Sequence, residues 1–173
     1  MKFKLFAGFS LVLMFLGLAL AQSPYSNKFF SAKFPAGDVE HTTQDAVSKD
    51  GQKIAIQDWN TVNGGAIYSI SYTDFQTKRN AEDLDAVIAG EFQEFSYSNS
   101  DFIFSRGDSS IGNLKARSSS GFGLREEGED KLYIYTRAAF SEDHKRLWQT
   151  LIVSVNPLTL AQIDSFFDSI VIK

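Results

Sequence analysis

The chain has 173 residues, 43% hydrophobic, 22% charged and 14% aromatic, with three prolines and no cysteine. That composition excludes a collagen, a coiled-coil rod, a disordered chain and a disulfide scaffold. The formal charge of −4 argues against nucleic acid or an anionic lipid surface as partner.

Residues 1–21 read as a secretory signal peptide. Lys2 and Lys4 form a positive start, Leu5 to Leu20 is uncharged and apolar, and Ala19-Leu20-Ala21 is a small-x-small cleavage signal. The apolar run is shorter than the roughly 20 residues a bilayer span needs. Cleavage is therefore expected after Ala21, with no stable membrane insertion of what remains. Both methionines, Met1 and Met14, leave with the leader, so the remaining chain carries no sulfur. No Asn-x-Ser/Thr sequon is present. These features together point to a periplasmic or extracellular protein.

Residues 22–28 read as a flexible polar tail and residues 29–173 as a single domain. Phe30 to Phe34 alternates apolar with polar and reads as a strand, stopped by Pro35-Ala36-Gly37. Val39 to Val47 is a Thr-rich strand. Asp50-Gly51 is a hairpin signal leading into an alternating strand over Gln52 to Trp59. Asn63-Gly64-Gly65 marks the next turn, and Ala66 to Tyr72 follows with Tyr68, Ile70 and Tyr72 on one face. The four runs predict an antiparallel meander. Asn80 is placed to cap a helix whose apolar stripe is Ala81, Leu84, Val87, Ile88, Phe92 and Phe95.

The Ser- and Gly-rich stretch from Tyr97 to Leu124 offers only short strands at Phe102 to Phe104 and Asn113 to Ser118. Lys131 to Phe140 and Arg146 to Val155 predict a hairpin. Thr159 and Gln162 form a capping box opening a second helix, with Leu158 and Ile163 as its hydrophobic staple. Val171-Ile172 reads as a last short strand. The expected fold is α+β: an antiparallel sheet of about six strands with two main helices packed on it.

The motif sets of common enzymes are absent: no G-x-S-x-G, H-E-x-x-H, P-loop or G-x-G-x-x-G occurs. His41 and His144 are the only imidazoles and lie in different segments. His144, beside Asp143, reads as a hairpin tip, since one imidazole and one carboxylate are too few for a metal. The acidic turn Glu126 to Asp130 has cation-binding chemistry but not the ligand spacing of an EF-hand loop. Arg106-Gly107-Asp108 matches a tripeptide read by integrins, and reads otherwise as a turn. No metal or cofactor is expected. The aromatic residues Trp59, Tyr68, Tyr72, Tyr133, Tyr135 and Trp148 all fall on strands. If one sheet face stays uncovered, they would form a binding surface for a protein or peptide, a glycan or a small ligand.

In chain order, Phe30-Ser-Ala-Lys-Phe-Pro-Ala-Gly37, Tyr68-Ser-Ile-Ser-Tyr-Thr-Asp-Phe75, Leu132-Tyr-Ile-Tyr135, Leu151-Ile-Val-Ser-Val155 and Ile163-Asp-Ser-Phe-Phe-Asp-Ser-Ile170 resemble bacterial exported domains of uncharacterised role. These in turn look like the PsbP-like family, which includes the Mog-type Ran-binding proteins. The resemblance implies an α/β/α sandwich and a non-enzymatic role in binding or assembly, and carries over no functional residue. The expected function is thus that of an exported, non-catalytic binding or accessory domain of the cell envelope, present as a monomer. A periplasmic small-ligand carrier, or a hydrolase whose site forms only in three dimensions, are the alternatives.

Overall fold

The structure is a computed structural model and describes residues 22–47, 51–75, 77–79, 83–94, 102–124 and 131–173. Its elements in chain order are β1 (Gln22–Ser26), β2 (Phe30–Pro35), β3 (Glu40–Val47), β4 (Lys53–Asn63), β5 (Ala66–Asp74), α1 (Asp83–Glu94), β6 (Phe102–Ile111), β7 (Leu114–Leu124), β8 (Lys131–Phe140), β9 (Arg146–Ser154), α2 (Leu160–Phe167) and β10 (Val171–Ile172). The strands form a seven-stranded sheet in the order β3-β4-β5-β9-β8-β7-β6 and a three-stranded sheet in the order β1-β2-β10. All pairings are antiparallel.

This corrects the expected fold class. Among the described residues the fold is mostly β, with ten strands against two helices. It is not a six-stranded sheet in a two-helix α/β/α sandwich. Two segments account for the difference. The stretch read as two short strands is one long hairpin, β6–β7, closed by Gly112-Asn113 with Gly112 at φ +57°. Arg106-Gly107-Asp108 therefore lies within β6 and makes no turn. The stretch read as a tail supplies β1, which pairs with β2 from Gln22↔Pro35 to Ser26↔Ser31.

The large sheet is two meanders joined by a crossover. β3, β4 and β5 fold by local turns; Gly64 and Gly65, both at positive φ, give the tight two-residue loop between β4 and β5. The chain then crosses through α1 to the far edge and returns as β6, β7, β8 and β9, the last pairing with β5. α1 lies on one face, over β7 and β8. Leu84, Ile88 and Phe92 meet Ile134, Ala138, Phe140 and Leu147 there, forming a smaller core.

The opposite face carries the main core. Strand β2 and helix α2 bury Phe30, Phe34, Ile163, Phe166 and Phe167 against Trp59, Tyr68, Ile70, Tyr72 and Trp148 of the sheet. The expected capping box is present: Thr159 Oγ1 accepts from the Gln162 N–H at 3.3 Å, and Gln162 Oε1 accepts from the Thr159 N–H at 2.9 Å. Arg137 fastens α2 to the sheet edge. Its guanidinium donates to Asp168 at 2.9 Å and to the Ser110 carbonyl at 3.1 Å, and lies over the Phe167 ring. No described helix is long and apolar enough to cross a membrane.

Candidate functional site

The six strand aromatics all project to the α2 side of the large sheet, as the pairs Trp59↔Ile70, Tyr72↔Trp148, Tyr135↔Ile152 and Tyr133↔Ser154 require. The small sheet and α2 cover that side. Trp59 is 3% exposed and Trp148 1%, and Tyr68 and Tyr72 are equally deep. Their rings pack edge-on and tilted against Phe29, Phe30 and Phe166 at centroid distances of 4.8–6.2 Å, the geometry in which ring quadrupoles attract. These four side chains are core and offer no open face to a ligand. Tyr133 and Tyr135 stay half-buried, and the Tyr135 hydroxyl accepts from the Leu158 N–H at 3.0 Å, ahead of α2. Burial pushes the Tyr68 phenol above its ordinary value. Burial also raises Tyr72; Asp74 adds to the rise and Arg146 opposes it.

Both histidines take structural partners. The His41 ring stacks on Trp59 at 4.5 Å and 9°, with Nε2 2.8 Å from Gln57 Oε1. His144 stacks on Phe140, and its Nδ1 lies 3.0 Å from the Arg79 carbonyl. In the same hairpin tip the Ser141 hydroxyl and the Lys145 N–H bind the Asp143 carboxylate and hold its pKa below the usual range. Asp108 of the Arg-Gly-Asp tripeptide accepts from Arg117 at 2.6 Å. The acidic turn at Glu126 to Asp130 lies outside the described residues, as do the leader and Asn80. Among the described residues no group of three or more His, Asp or Glu side chains is arranged to hold a metal ion.

A different surface emerges on the α1 side. The helix sits over β7 and β8, and no described helix packs on the same face of β3, β4 and β5. The register places Thr42, Asp58, Ser71 and Gln149 in one row across these strands and β9, with Asn60 and Ser69 in the next. Half-buried Asp58 organises the patch: Ser69 Oγ donates to its Oδ1 at 2.5 Å, and Asn60, itself only 5% exposed and so a support beneath the surface, donates Nδ2 to its Oδ2 at 2.9 Å. Beside it run Val62, 55% exposed, and half-buried Ile67. Sequence reasoning missed this patch, although its signal was present. Asp58-x-Asn60 alternates with Trp59, and the two-residue Gly64-Gly65 loop fixes the register that brings Ser69 opposite Asn60 and Ser71 opposite Asp58.

A separate open groove of about 440 Å³ runs between α2 and the β1–β2 hairpin, lined by Gln22, Lys33, Ala161, Asp164, Ser165, Asp168 and Ser169. Its carboxylates are engaged by Arg137, at 2.9 Å from Asp168 and 3.6 Å from Asp164. Gln22 closes one end through a side-chain contact to Ser165.

No protein-family model, curated protein or solved structure matches the chain.

Proposed function

We propose that the chain is an exported, non-catalytic domain of the cell envelope, an assembly or accessory factor that works by binding a protein partner through the polar face of β3, β4 and β5. The Asp58 patch carries this reading. Its donors and acceptors are already fixed by Ser69 and Asn60, so a partner that hydrogen-bonds to them meets ordered groups and little side-chain freedom is lost on contact. The Val62–Ile67 row adds apolar area beside the polar patch, the mixture typical of protein–protein surfaces. The charge–apolar–Ala-x-Ala leader supports the location.

Site-directed photo-crosslinking in the cells that make the protein tests the reading. A photoreactive side chain at Ser71 should give a discrete adduct with another protein, whereas the same group at exposed Lys115 on β7 should not. Asp58→Ala should weaken the adduct on the order of tenfold, the loss of one well-placed polar anchor. No adduct from Ser71, or an adduct indifferent to Asp58, contradicts the proposal.

A further inference from the structure

The outer edge of β3 has no partner among the described strands: the large sheet begins with it, and only β4 pairs with it. Residues Glu40, His41, Thr42 and Thr43 are exposed in succession, so both faces of the strand are open, and Val47 is 52% exposed. Such an edge displays a row of backbone donors and acceptors ready to pair, and proteins normally block it with proline, lysine, a bulge or a very short strand. β3 uses none of these, although the carboxylates Glu40 and Asp45 place charge on it. It runs eight residues without Pro, Gly or Lys, in unbroken register from Glu40↔Asn60 to Val47↔Lys53. The other edge of the same sheet, β6, does break register, between Ile103 and Ser105, and carries Arg106.

We propose that two copies of the chain join through β3, edge to edge and antiparallel, with Thr43 facing Thr43 of the second copy. A two-fold axis normal to the sheet requires one residue to face itself, which leaves few registers. Centring on Thr43 places His41 opposite Asp45 of the second copy, and does so twice. It sets Glu40 against Ala46, Thr42 against Gln44, and Val39 against Val47. Polar pairs that can hydrogen-bond, such as His–Asp, together with Thr–Thr contacts and β-branched apolar pairs, are cross-strand combinations that stabilise a ladder. No carboxylate meets a carboxylate. Centring on Thr42 or Gln44 loses both His–Asp pairs. The side chains on this face are also held beforehand: His41 lies on Trp59 and against Gln57, and Thr43 Oγ1 donates to Gln57 at 3.1 Å. The result is a continuous sheet across a two-fold axis, in place of the monomer expected from the sequence. A single-strand contact belongs with small, reversible interfaces, so dissociation in the micromolar range is expected.

The absence of cysteine gives a direct test with the exported chain. Thr43→Cys should oxidise rapidly to a disulfide-linked dimer, because residues directly opposite have Cβ atoms about 5 Å apart. Val62→Cys, exposed but remote from the edge, should not. In sedimentation equilibrium the wild type should dimerise with concentration, Thr43→Lys should stay monomeric, and Asp45→Lys should weaken association at least tenfold. Adding His41→Asp to Asp45→Lys should restore association by reversing the pair. A wild type that stays monomeric up to about 500 µM, well above the expected dissociation range, overturns the proposal. So does a Thr43→Lys variant that dimerises as well as the wild type, or equal oxidation at positions 43 and 62.

Discussion

Replacing Phe166 with alanine is expected to cost roughly 3–5 kcal/mol, the usual loss for a large aromatic ring in a packed core. Phe166 is the side chain through which α2 enters the main core. Its ring lies 5.4 Å from Phe34 of β2, 5.3 Å from Tyr68 of β5 and 5.6 Å from Phe167. It therefore touches the helix, the small sheet and the large sheet at once, and no smaller neighbour can close the space without moving one of the three. In a chain of this size each kcal/mol shifts Tm by about 2–4 °C, so the melting temperature should fall by about 10 °C. Urea denaturation of the variant checks the figure. A loss below about 1 kcal/mol, the range of surface substitutions, would mean that α2 does not seal this face.

Phe92→Ala should cost a similar roughly 3–5 kcal/mol, but its signature should be local. α1 is held on the opposite face by Leu84, Ile88 and Phe92, with the Arg117–Asp85 pair at 3.4 Å as its described link to β7. That exposed pair contributes little. Removing the largest of three anchors should let α1 open below the global unfolding free energy. Native-state hydrogen exchange should show accelerated exchange in α1, while β4, β5 and β9 keep their protection. Uniform acceleration of both faces would contradict the separation of the two cores.

The parts of the fold that were legible in the sequence are those fixed by local chemistry. Asn63-Gly64-Gly65 announces the β4–β5 turn, whereas Asp50 of the other turn signal lies outside the described residues. The alternation of Lys131 to Phe140 and Arg146 to Val155 announces β8 and β9, and Thr159 with Gln162 announces α2. What was not legible depends on contacts between distant segments. The β6–β7 hairpin alternates Ser, Gly, Ala and Arg in place of large apolar residues. Small side chains at Ser119 and Gly121, buried on the α1 side, suit a strand lying under that helix, and they erase the apolar rhythm that marks a strand. The Gly112-Asn113 pair was its one local signal.

The aromatic face shows the same limit. Periodicity puts Tyr68, Ile70 and Tyr72 on one side of β5, but it cannot say whether that side is covered. The cover is assembled from both ends of the domain, β1 and β2 from the start and α2 and β10 from the end. Lys173 completes the closure, its backbone N–H donating to the Phe29 carbonyl at 2.9 Å. Once this cover is in place, Trp59, Tyr68, Tyr72 and Trp148 become core, while Tyr133 and Tyr135 stay half-buried.

That division between an aromatic interior and a polar outer face is open to one direct measurement. The chain contains only two tryptophans, Trp59 and Trp148, and both belong to the covered side. Iodide quenching of their fluorescence in the folded protein should be weak, with blue-shifted emission, and should rise sharply on unfolding in urea. Strong quenching in the folded state would place the indoles in solvent and contradict the account.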